Sequence, residues 1–322
     1  MKKTKPIIIV AGEPYSVFSE IFFKALKHKD IKTFKIPIIL ISSVELIKKQ
    51  MKKLNFNYKI NIINKIDIGS ATADNNIINI INVKFNHNKT FDKITNNSNL
   101  FLEESFKIGI KLVKENNCTK LITGPISKKH FLRKKFLGIT EYLAAKTVNK
   151  RNVAMIIYNK KLSVSPITTH LPLKDVHKNI TKEKIIYQTQ LIHSFYIKKF
   201  NKVPKIAITG LNPHCESNYD TSEENKIINP AIKYLIKKKY NIHGPFPADS
   251  IFMKENFKKY DVIIGMYHDQ VLAPIKCLFG FDAINITLGL PFLRISPDHG
   301  PNWSMLGKNV SNPLSLIKAL KF

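Results

Sequence analysis

The stretch Ile7-Ile8-Ile9-Val10-Ala11-Gly12-Glu13-Pro14 joins an apolar run directly to a turn that contains glycine and proline. An apolar run that ends in such a turn is typical of a buried β-strand. The basic residues before Ile7 do not indicate a signal peptide, because the apolar run is too short for the core of one. We therefore expect a first buried strand from Ile7 to Ala11 and a cytoplasmic protein.

The same order of apolar runs and amphipathic stretches continues along the chain. Further strands are predicted over residues 37–41, 121–123, 153–158, 205–209, 262–266 and 283–288, and helices over residues 17–26, 102–113 and 181–200. Alternating strands and helices predict a mostly parallel sheet that is covered by helices. A chain of 322 residues exceeds the usual size of one compact core, so two lobes are expected. No apolar run is long enough to cross a membrane.

Glycine and proline cluster where the predicted strands end, for example at Gly12-Glu13-Pro14 and at Thr123-Gly124-Pro125. In open α/β sheets, ligands bind at the carboxyl ends of the strands, so these turns are the expected positions of the chemistry. The chain has neither the GxGxxG pattern of common dinucleotide-binding folds nor the GxxxxGK[ST] pattern of P-loops. A dinucleotide would therefore bind without the usual glycine fingerprint, and no cofactor-binding residue is assigned.

The formal net charge is +29, a balance that often indicates binding to nucleic acid or to anionic membranes. However, Arg133, Arg151 and Arg294 are the only arginines among the 52 basic residues. Arginine is the residue that contacts phosphates and bases at two points, and the lysines here are spread along the chain rather than clustered. We expect a solvated lysine surface that attracts small anions, with no nucleic-acid or membrane partner. A basic nucleic-acid-binding protein is the alternative from another class.

The three cysteines, Cys118, Cys215 and Cys277, are widely spaced and include no CxxC pair. An odd number with this spacing argues against a disulfide framework. We expect each of them to be a small residue in or near the core.

Three histidines sit just after strand-like runs. They are His170 in Thr168-Thr169-His170, His214 in Asn212-Pro213-His214, and His268 in Tyr267-His268-Asp269. Three imidazoles with an open position suit a divalent ion such as Zn²⁺. Asp269 is a candidate further ligand, or a carboxylate that orients an imidazole. Because the three histidines have no metal-site spacing in the sequence, only their convergence in the fold would make a site, and unrelated histidines are the alternative.

Other polar residues at turns or beside an apolar strand are candidates for the same site: Asp249, Lys276, Asn285 and Arg294. Arg294 is suited to a two-point contact with a phosphate or carboxylate, and a surface salt bridge is the alternative. Asp249 follows Pro247-Ala248, where a helix cap is the alternative to a catalytic role.

Read together, these turns resemble the motifs of the 4-hydroxythreonine-4-phosphate dehydrogenase (PdxA) family, in the family's order and close to its spacing. The motifs are Thr123-Gly124-Pro125-Ile126-Ser127-Lys128, Thr140-Glu141-Tyr142-Leu143-Ala144, Thr168-Thr169-His170-Leu171-Pro172-Leu173, Gly210-Leu211-Asn212-Pro213-His214, Gly244-Pro245-Phe246-Pro247-Ala248-Asp249, Tyr267-His268-Asp269-Gln270 and Asn285-Ile286-Thr287-Leu288-Gly289-Leu290-Pro291. Each motif is weak alone, but together and in order they are specific. The resemblance implies a single family domain that spans roughly residues 12–318.

The resemblance implies an α/β fold, namely a two-lobed α/β/α sandwich of the isocitrate and isopropylmalate dehydrogenase type. Its sheet would be mostly parallel, with a cleft between the lobes. The first lobe would comprise residues 1–127 together with 298–322, and the second would comprise residues 128–297. The resemblance also implies a homodimer in which the partner subunit completes each active site.

The resemblance further implies a role for each matching residue. His170, His214 and His268 match the metal ligands of the family. Thr140, Lys276, Asn285 and Arg294 match its substrate-binding positions. Asp249, Lys276 and Asp269 are the candidate catalytic residues.

The activity that the resemblance implies is the oxidation of 4-phosphooxy-L-threonine by NAD, with a divalent metal that is Zn²⁺ or alternatively Mg²⁺ or Co²⁺. The metal would act as a Lewis acid on the substrate hydroxyl. The product, 2-amino-3-oxo-4-phosphooxybutanoate, is a β-keto acid that decarboxylates to 3-amino-2-oxopropyl phosphate. This reaction belongs to the biosynthesis of pyridoxal phosphate (vitamin B6).

The chain departs from the family pattern at several positions. Ile139 precedes Thr140, where family members carry a histidine that contacts substrate. Bulky residues replace two glycines in the turn over residues 12–20, and the loop over residues 215–221 has no glycine. Two alternatives follow: a dehydrogenase of another phosphorylated hydroxy acid, of the 4-phosphothreonate or phosphoerythronate type, or a metal-binding paralogue without turnover.

Overall fold

The computed structural model describes residues 4–65, 68–115, 117–132, 135–136, 138–147, 153–215 and 220–322. Contacts divide the chain into two compact units. Unit 1 comprises Met1–Val148 with Leu290–Phe322, and unit 2 comprises Asn149–Gly289.

Unit 1 is an α/β unit built on a parallel sheet. Its strands and helices are β1 (Ile7–Val10), α1 (Phe18–Lys27), α2 (Lys29–Lys32), β2 (Ile38–Ser42), α3 (Val44–Lys53), β3 (Lys59–Ile62), β4 (Ile77–Asn82), α4 (Asn99–Lys114), β5 (Lys120–Thr123), α5 (Ile139–Thr147), β12 (Arg294–Pro297) and α12 (Leu314–Lys321). The strand order is β3-β4-β2-β1-β5-β12, and neighbouring strands run parallel. The β1 and β2 side chains are buried throughout, as expected for strands of a parallel sheet that is covered on both faces.

Two packing contacts explain the boundaries of unit 1, which differ from the expected positions after residues 127 and 297. The Tyr142 ring of α5 packs edge-on against Phe106 and Phe131, so the segment after β5 stays with this unit. Strand β12 pairs in parallel with β5, so the chain returns to unit 1 before residue 298.

The first turn of unit 1 follows β1 and is closely packed. Gly12 has a φ of +79°, and a Cβ atom there would lie 2.3 Å from the carbonyl oxygen of Pro125, so only glycine fits. The bulky residues that follow point into the interior, because Tyr15 and Phe18 are buried and Tyr15 packs edge-on against Phe85. The replacement of glycines in this turn therefore fills the core of unit 1.

Unit 2 is a second α/β unit, with a mixed sheet. Its strands and helices are β6 (Ala154–Tyr158), β7 (Ser163–Thr168), α6 (Leu173–Asn179), α7 (Lys182–Phe200), β8 (Ile206–Thr209), α8 (Asn229–Lys237), β9 (Ile242–Phe246), α9 (Ala248–Ile251), α10 (Lys254–Phe257), β10 (Val262–Tyr267), α11 (His268–Phe279) and β11 (Ile284–Leu288). The strand order is β11-β6-β7-β10-β8-β9. Strands β7, β10, β8 and β9 are parallel to their neighbours, whereas β6 is antiparallel to both β7 and β11.

The predicted strands and helices are present in the structure, with additions. Strands β3, β4, β7, β9 and β12 were not predicted. The segment Gly244-Pro245-Phe246 was expected in a turn but lies within β9. Within the described ranges, no helix combines the length and the apolar character that spanning a membrane requires.

No disulfide bond joins the three cysteines, which all lie within the described ranges. Cys118 is buried, as predicted for a core residue. Cys277 is exposed, so the expectation of a near-core position is wrong for this residue, which lies on the solvent side of the amphipathic helix α11.

Candidate active site

The carboxyl ends of three adjacent parallel strands in unit 2 carry the three candidate histidines. His268 follows β10 directly, His170 lies two residues beyond β7, and His214 lies in the turn after β8. Strand β10 is the central one, pairing with β7 on one side and with β8 on the other. Because these strands are parallel, their carboxyl ends share one edge of the sheet, where α/β proteins bind their ligands. The expectation that the histidines follow strand ends is confirmed.

The His170 and His268 rings lie side by side, with their centroids 5.7 Å apart. Two imidazoles that bind one Zn²⁺ through nitrogens about 2 Å from the metal have ring centres roughly 5 Å apart. The Nδ1 atom of His268 is 2.6 Å from Oδ1 of Asp269, a contact that leaves Nε2 of the same ring for another partner. These two histidines therefore suit a divalent metal in both residue type and spacing.

His214 occupies a turn with unusual backbone geometry. Its φ of 58° and ψ of 7° place it in the left-handed region, and Cys215 also has a φ of 58°. Within the ranges that the structure describes, no group of three or more His, Cys, Asp or Glu side chains is arranged to hold a metal ion. The predicted convergence of all three histidines is therefore not seen, since His214 shares the sheet edge without closing a three-ligand cluster. The loop that follows, over residues 216–219, lies outside the described residues.

The turn that leads to His214 is held by a buried carboxylate, Glu224. One oxygen, Oε1, accepts the backbone N–H groups of Leu211 at 2.8 Å and Asn212 at 2.9 Å. The other oxygen, Oε2, accepts from Nδ2 of Asn212 at 2.8 Å. Burial alone would raise the pKa of Glu224, but the hydrogen bonds from Asn212 and Leu211 outweigh it, so the pKa lies below its ordinary value. A buried, ionised carboxylate thus anchors the segment just before His214.

The other candidates in unit 2 occupy three different elements. Asp249 lies in the first turn of α9 and is exposed; Pro247, not Asp249, takes the N-cap position. Lys276 lies in the last turn of α11, the helix that begins at His268. Asn285 lies in β11, where its Nδ2 atom donates to Sδ of Met155 at 3.2 Å.

The amide oxygen of Asn285 is buried and accepts no hydrogen bond from the described residues. Buried polar atoms almost always have a partner, so an unpaired one at a site usually faces a ligand or a water molecule. This oxygen is suited to accept a hydrogen bond from a hydroxyl or ammonium group of a substrate.

The two candidates in unit 1, Thr140 and Arg294, lie in α5 and β12. Arg294 is 1% exposed, and its Nη2 atom donates to Oγ1 of Thr123 at 2.6 Å. Burial lowers the pKa of Arg294 to about 10, and the nearby Glu141 carboxylate opposes that shift. The alternative of a surface salt bridge for Arg294 is therefore wrong, because this guanidinium is inside unit 1.

Sequence reasoning missed three buried residues that shape these turns: Glu13, Glu224 and Gln270. In unit 1, Glu13 accepts from the backbone N–H of Ser127 at 3.0 Å and from Oγ of Ser98 at 2.8 Å. Its pKa is raised by burial, which those two hydrogen bonds oppose. The only signal in the sequence is that Glu13 and Gln270 stand inside motifs at strand ends.

The chain is similar to known proteins over most of its length. A family model described as pyridoxal phosphate biosynthetic protein PdxA matches residues 34–322. A 4-hydroxythreonine-4-phosphate dehydrogenase from Sulfurihydrogenibium sp. (strain YO3AOP1) is 37% identical over 319 residues, which cover 98% of this chain and 96% of that protein. A relative from Oceanobacillus iheyensis, provisionally named D-threonate 4-phosphate dehydrogenase, is 31% identical and covers 98% of this chain and 96% of that protein.

Solved structures show the same fold. The crystal structure of 4-hydroxythreonine-4-phosphate dehydrogenase from Klebsiella pneumoniae has a TM-score of 0.83 at 25% identity, covering 99% of this chain and 98% of that chain. The isocitrate dehydrogenase of Methylococcus capsulatus has a TM-score of 0.50 at 8% identity, covering 98% of this chain and 83% of that chain, which is a likeness of fold alone.

The fold is thus an α/β fold of the isocitrate dehydrogenase type, and the three histidines lie at the carboxyl ends of strands, where α/β sheets bind ligands. The match over residues 34–322 and the 37% identity to a full-length relative show that the chain belongs to the PdxA family. The protein is accordingly an enzyme of the oxidoreductase class. The predicted family, fold class and enzyme class are confirmed.

Proposed function

We propose that this protein oxidises 4-phosphooxy-L-threonine with NAD and a divalent metal, in the biosynthesis of pyridoxal phosphate. The product, 2-amino-3-oxo-4-phosphooxybutanoate, would lose CO₂ to give 3-amino-2-oxopropyl phosphate. The names of the relatives and the description of the matching family support this substrate and this pathway. A homodimer with a shared active site is part of the proposal.

The observation that carries the proposal is the pairing of His170 and His268 at the ends of β7 and β10. Neutral imidazoles are ligands for Zn²⁺ and Co²⁺, and they leave open positions for a substrate hydroxyl. His170, His214 and His268 would hold the metal, with Asp269 orienting the ring of His268 through Nδ1. Since His214 does not complete a cluster with the other two, metal binding is expected to require an adjustment of its turn.

The chemistry divides between the bound groups and the residues of the chain. When bound, the metal supplies Lewis-acid polarisation of the substrate hydroxyl, and NAD⁺ accepts the hydride. Lys276 and Arg294 are the proposed cationic partners of the substrate's phosphate or carboxylate, since a guanidinium contacts such groups at two points. Asp249, Lys276 and Asp269 are the proposed groups for moving the hydroxyl proton.

Asn285 and Thr140 have proposed roles as neutral hydrogen-bond partners of the substrate. The unpaired amide oxygen of Asn285 would accept from a substrate N–H or O–H group. Without that donor, a buried oxygen is left unsatisfied, which costs about 1–3 kcal/mol. A substrate that donates a hydrogen bond to Asn285 is therefore expected to bind more tightly than an analogue that lacks the donor.

A second candidate function is oxidation of a 4-phosphorylated hydroxy acid without the amino group, such as D-threonate 4-phosphate. Two observations favour it. Ile139 stands where family members carry a histidine that contacts substrate, and a relative with a name of this kind is 31% identical. An apolar residue at this position removes one polar contact to the substrate.

The test is NADH formation by the purified protein with 4-phosphooxy-L-threonine or with D-threonate 4-phosphate, each with Zn²⁺, Mg²⁺ or Co²⁺ and after chelation. His214→Ala removes a proposed metal ligand. His177→Ala is its control, because His177 is an exposed histidine of α6 in the same unit. The proposal expects metal-dependent turnover of the first substrate that His214→Ala abolishes and His177→Ala leaves intact. Turnover of the second substrate alone would establish the second candidate. Metal binding without turnover of either would indicate a non-catalytic paralogue.

A further inference from the structure

The side chain of Gln270 joins the ends of two neighbouring strands in unit 2. Its Oε1 atom accepts the backbone N–H of Met266 at 2.7 Å and the hydroxyl of Thr209 at 2.9 Å. Its Nε2 atom donates to the carbonyl oxygen of Gly210 at 2.8 Å. The side chain is 8% exposed, so its amide is committed to β8 and β10 rather than to solvent.

The same group of hydrogen bonds reaches the third strand. The hydroxyl of Thr168, the last residue of β7, donates to the carbonyl oxygen of Met266 at 2.7 Å. The backbone of Met266 therefore forms two of these hydrogen bonds. Its carbonyl oxygen accepts from Thr168 of β7, and its N–H donates to Gln270. One buried set of hydrogen bonds thus fixes the spacing of all three strand ends that lead to the candidate histidines.

We infer that Gln270 is a positioning residue for the metal-binding histidines, acting through the backbone and touching neither metal nor substrate. It lies two residues after His268 in α11, and its partner Gly210 lies four residues before His214. Groups behind the ligands orient them, and their removal weakens metal binding although the ligands remain. The inference rests on the proposed function, because it presumes that these histidines bind a divalent metal.

The variant Gln270→Met separates positioning from ligation, because methionine has a similar length but forms none of the three strong hydrogen bonds. The N–H of Met266 and the carbonyl of Gly210 then lose their partner, and the ends of β8 and β10 are free to shift. We expect Co²⁺ affinity to fall roughly 10- to 100-fold, the usual effect of removing a group that orients metal ligands.

Gln188 provides a matched control in the same unit. It is 7% exposed, and its Nε2 atom donates to Oγ of Ser165 at 2.7 Å and to the carbonyl oxygen of Pro166 at 3.0 Å. Gln188→Met therefore removes from α7 an equally buried amide that contacts the interior of β7, and it leaves the hydrogen bonds of Gln270 intact. This variant shows how much Co²⁺ affinity and thermal stability change when a buried glutamine is lost without a change at the strand ends.

The experiment is a Co²⁺ titration of the full-length wild type and both variants, followed by the visible absorption of the bound ion and by thermal unfolding of the apo-proteins. The inference expects weaker binding and an altered Co²⁺ spectrum for Gln270→Met only, with a similar loss of thermal stability in both variants. Wild-type affinity and spectrum in a folded Gln270→Met protein would overturn it, as would equal losses of affinity in the two variants. If the wild type binds no Co²⁺, both the inference and the metal part of the proposed function fail, whereas failure of Gln270→Met alone to change binding leaves the proposed function standing.

Discussion

The Nη2 atom of Arg294 lies 2.6 Å from the hydroxyl oxygen of Thr123, and both side chains are buried in unit 1. These residues belong to neighbouring parallel strands, β12 and β5, and the Nε atom of Arg294 also donates to the same oxygen at 3.2 Å. A buried guanidinium needs acceptors, because the charge loses its hydration. Thr123 therefore fixes the orientation of the arginine that is proposed to bind the substrate anion.

Thr123→Val keeps the shape of the side chain and removes the acceptor. We expect the free energy of unfolding to fall by about 1–3 kcal/mol, since Nε and Nη2 of Arg294 lose this acceptor. Thr123→Ser is the control, because it keeps the hydroxyl and loses only one methyl group, at a cost of about 1 kcal/mol. Denaturant unfolding measures both, and KM for the phosphorylated substrate is expected to rise more in the valine variant. Equal effects of the two substitutions would contradict a role for the hydroxyl.

The buried carboxylate of Glu224 gives stability a defined dependence on pH. Its pKa in the folded protein is lowered from the ordinary value of 4.5, so its ionised form is favoured by folding. The stability that it contributes is complete above 4.5 and is lost as the pH falls through the lower, folded-state pKa. We expect the difference in unfolding free energy between wild type and Glu224→Gln to shrink as the pH falls from neutral to below that range.

The control for this pH dependence is Glu255→Gln, since Glu255 is exposed in the first turn of α10. The free energy of unfolding of Glu255→Gln should differ little from that of wild type throughout the same pH series. A Glu224→Gln difference that stays constant across the series would show that hydrogen bonding to Leu211 and Asn212 does not depend on ionisation.

Much of the architecture follows from the order of apolar runs, and the exceptions have physical causes. Strand β1 is a run of β-branched residues, which predicts a buried strand directly. Strand β7 is equally buried but alternates serines with apolar residues and contains Pro166, which normally argues against a central strand. Its serines are satisfied within unit 2, since Ser165 donates to the carbonyl oxygen of Met155 and Ser163 contacts the hydroxyl of Tyr196 at 2.9 Å. No local pattern indicates those partners.

The sequence predicts candidate metal ligands of the site but not the buried residues that position them. The rule that ligands bind at strand ends, together with the family motifs, selects His170 and His268, which the structure brings together. Gln270 escapes such reasoning because its partner Gly210 is 60 residues away in the chain. The burial of Arg294 was also not predictable, because a scarce arginine after a turn suits a surface and an interior equally well.

The contact between His268 and Asp269 predicts a modest effect on metal binding. Oδ1 of Asp269 lies 2.6 Å from Nδ1 of His268, although the side chain of Asp269 is 82% exposed. A carboxylate in this position selects the tautomer whose Nε2 is free to bind metal, and the exposure limits its strength. Asp269→Asn should weaken Zn²⁺ affinity by roughly 10-fold, at the low end of the usual range. Asp175→Asn in α6 is the control, and competition with a chelating dye gives both affinities; an unchanged affinity in Asp269→Asn would remove Asp269 from the site.

Ile139 tests which substrate the protein takes. It is the first residue of α5 and is half-buried, packed against the hydrophobic core of unit 1. Ile139→His restores the family's polar side chain, and a new hydrogen bond to the substrate is worth about 0.5–1.5 kcal/mol, or roughly 2- to 10-fold in affinity. If the chain has adapted to a different phosphorylated hydroxy acid, Ile139→His should lower KM for 4-phosphooxy-L-threonine and leave KM for D-threonate 4-phosphate unchanged or higher. Ile139→Leu keeps the apolar packing and should change neither value, and the same KM for both substrates in all three proteins would show that this position does not select the substrate.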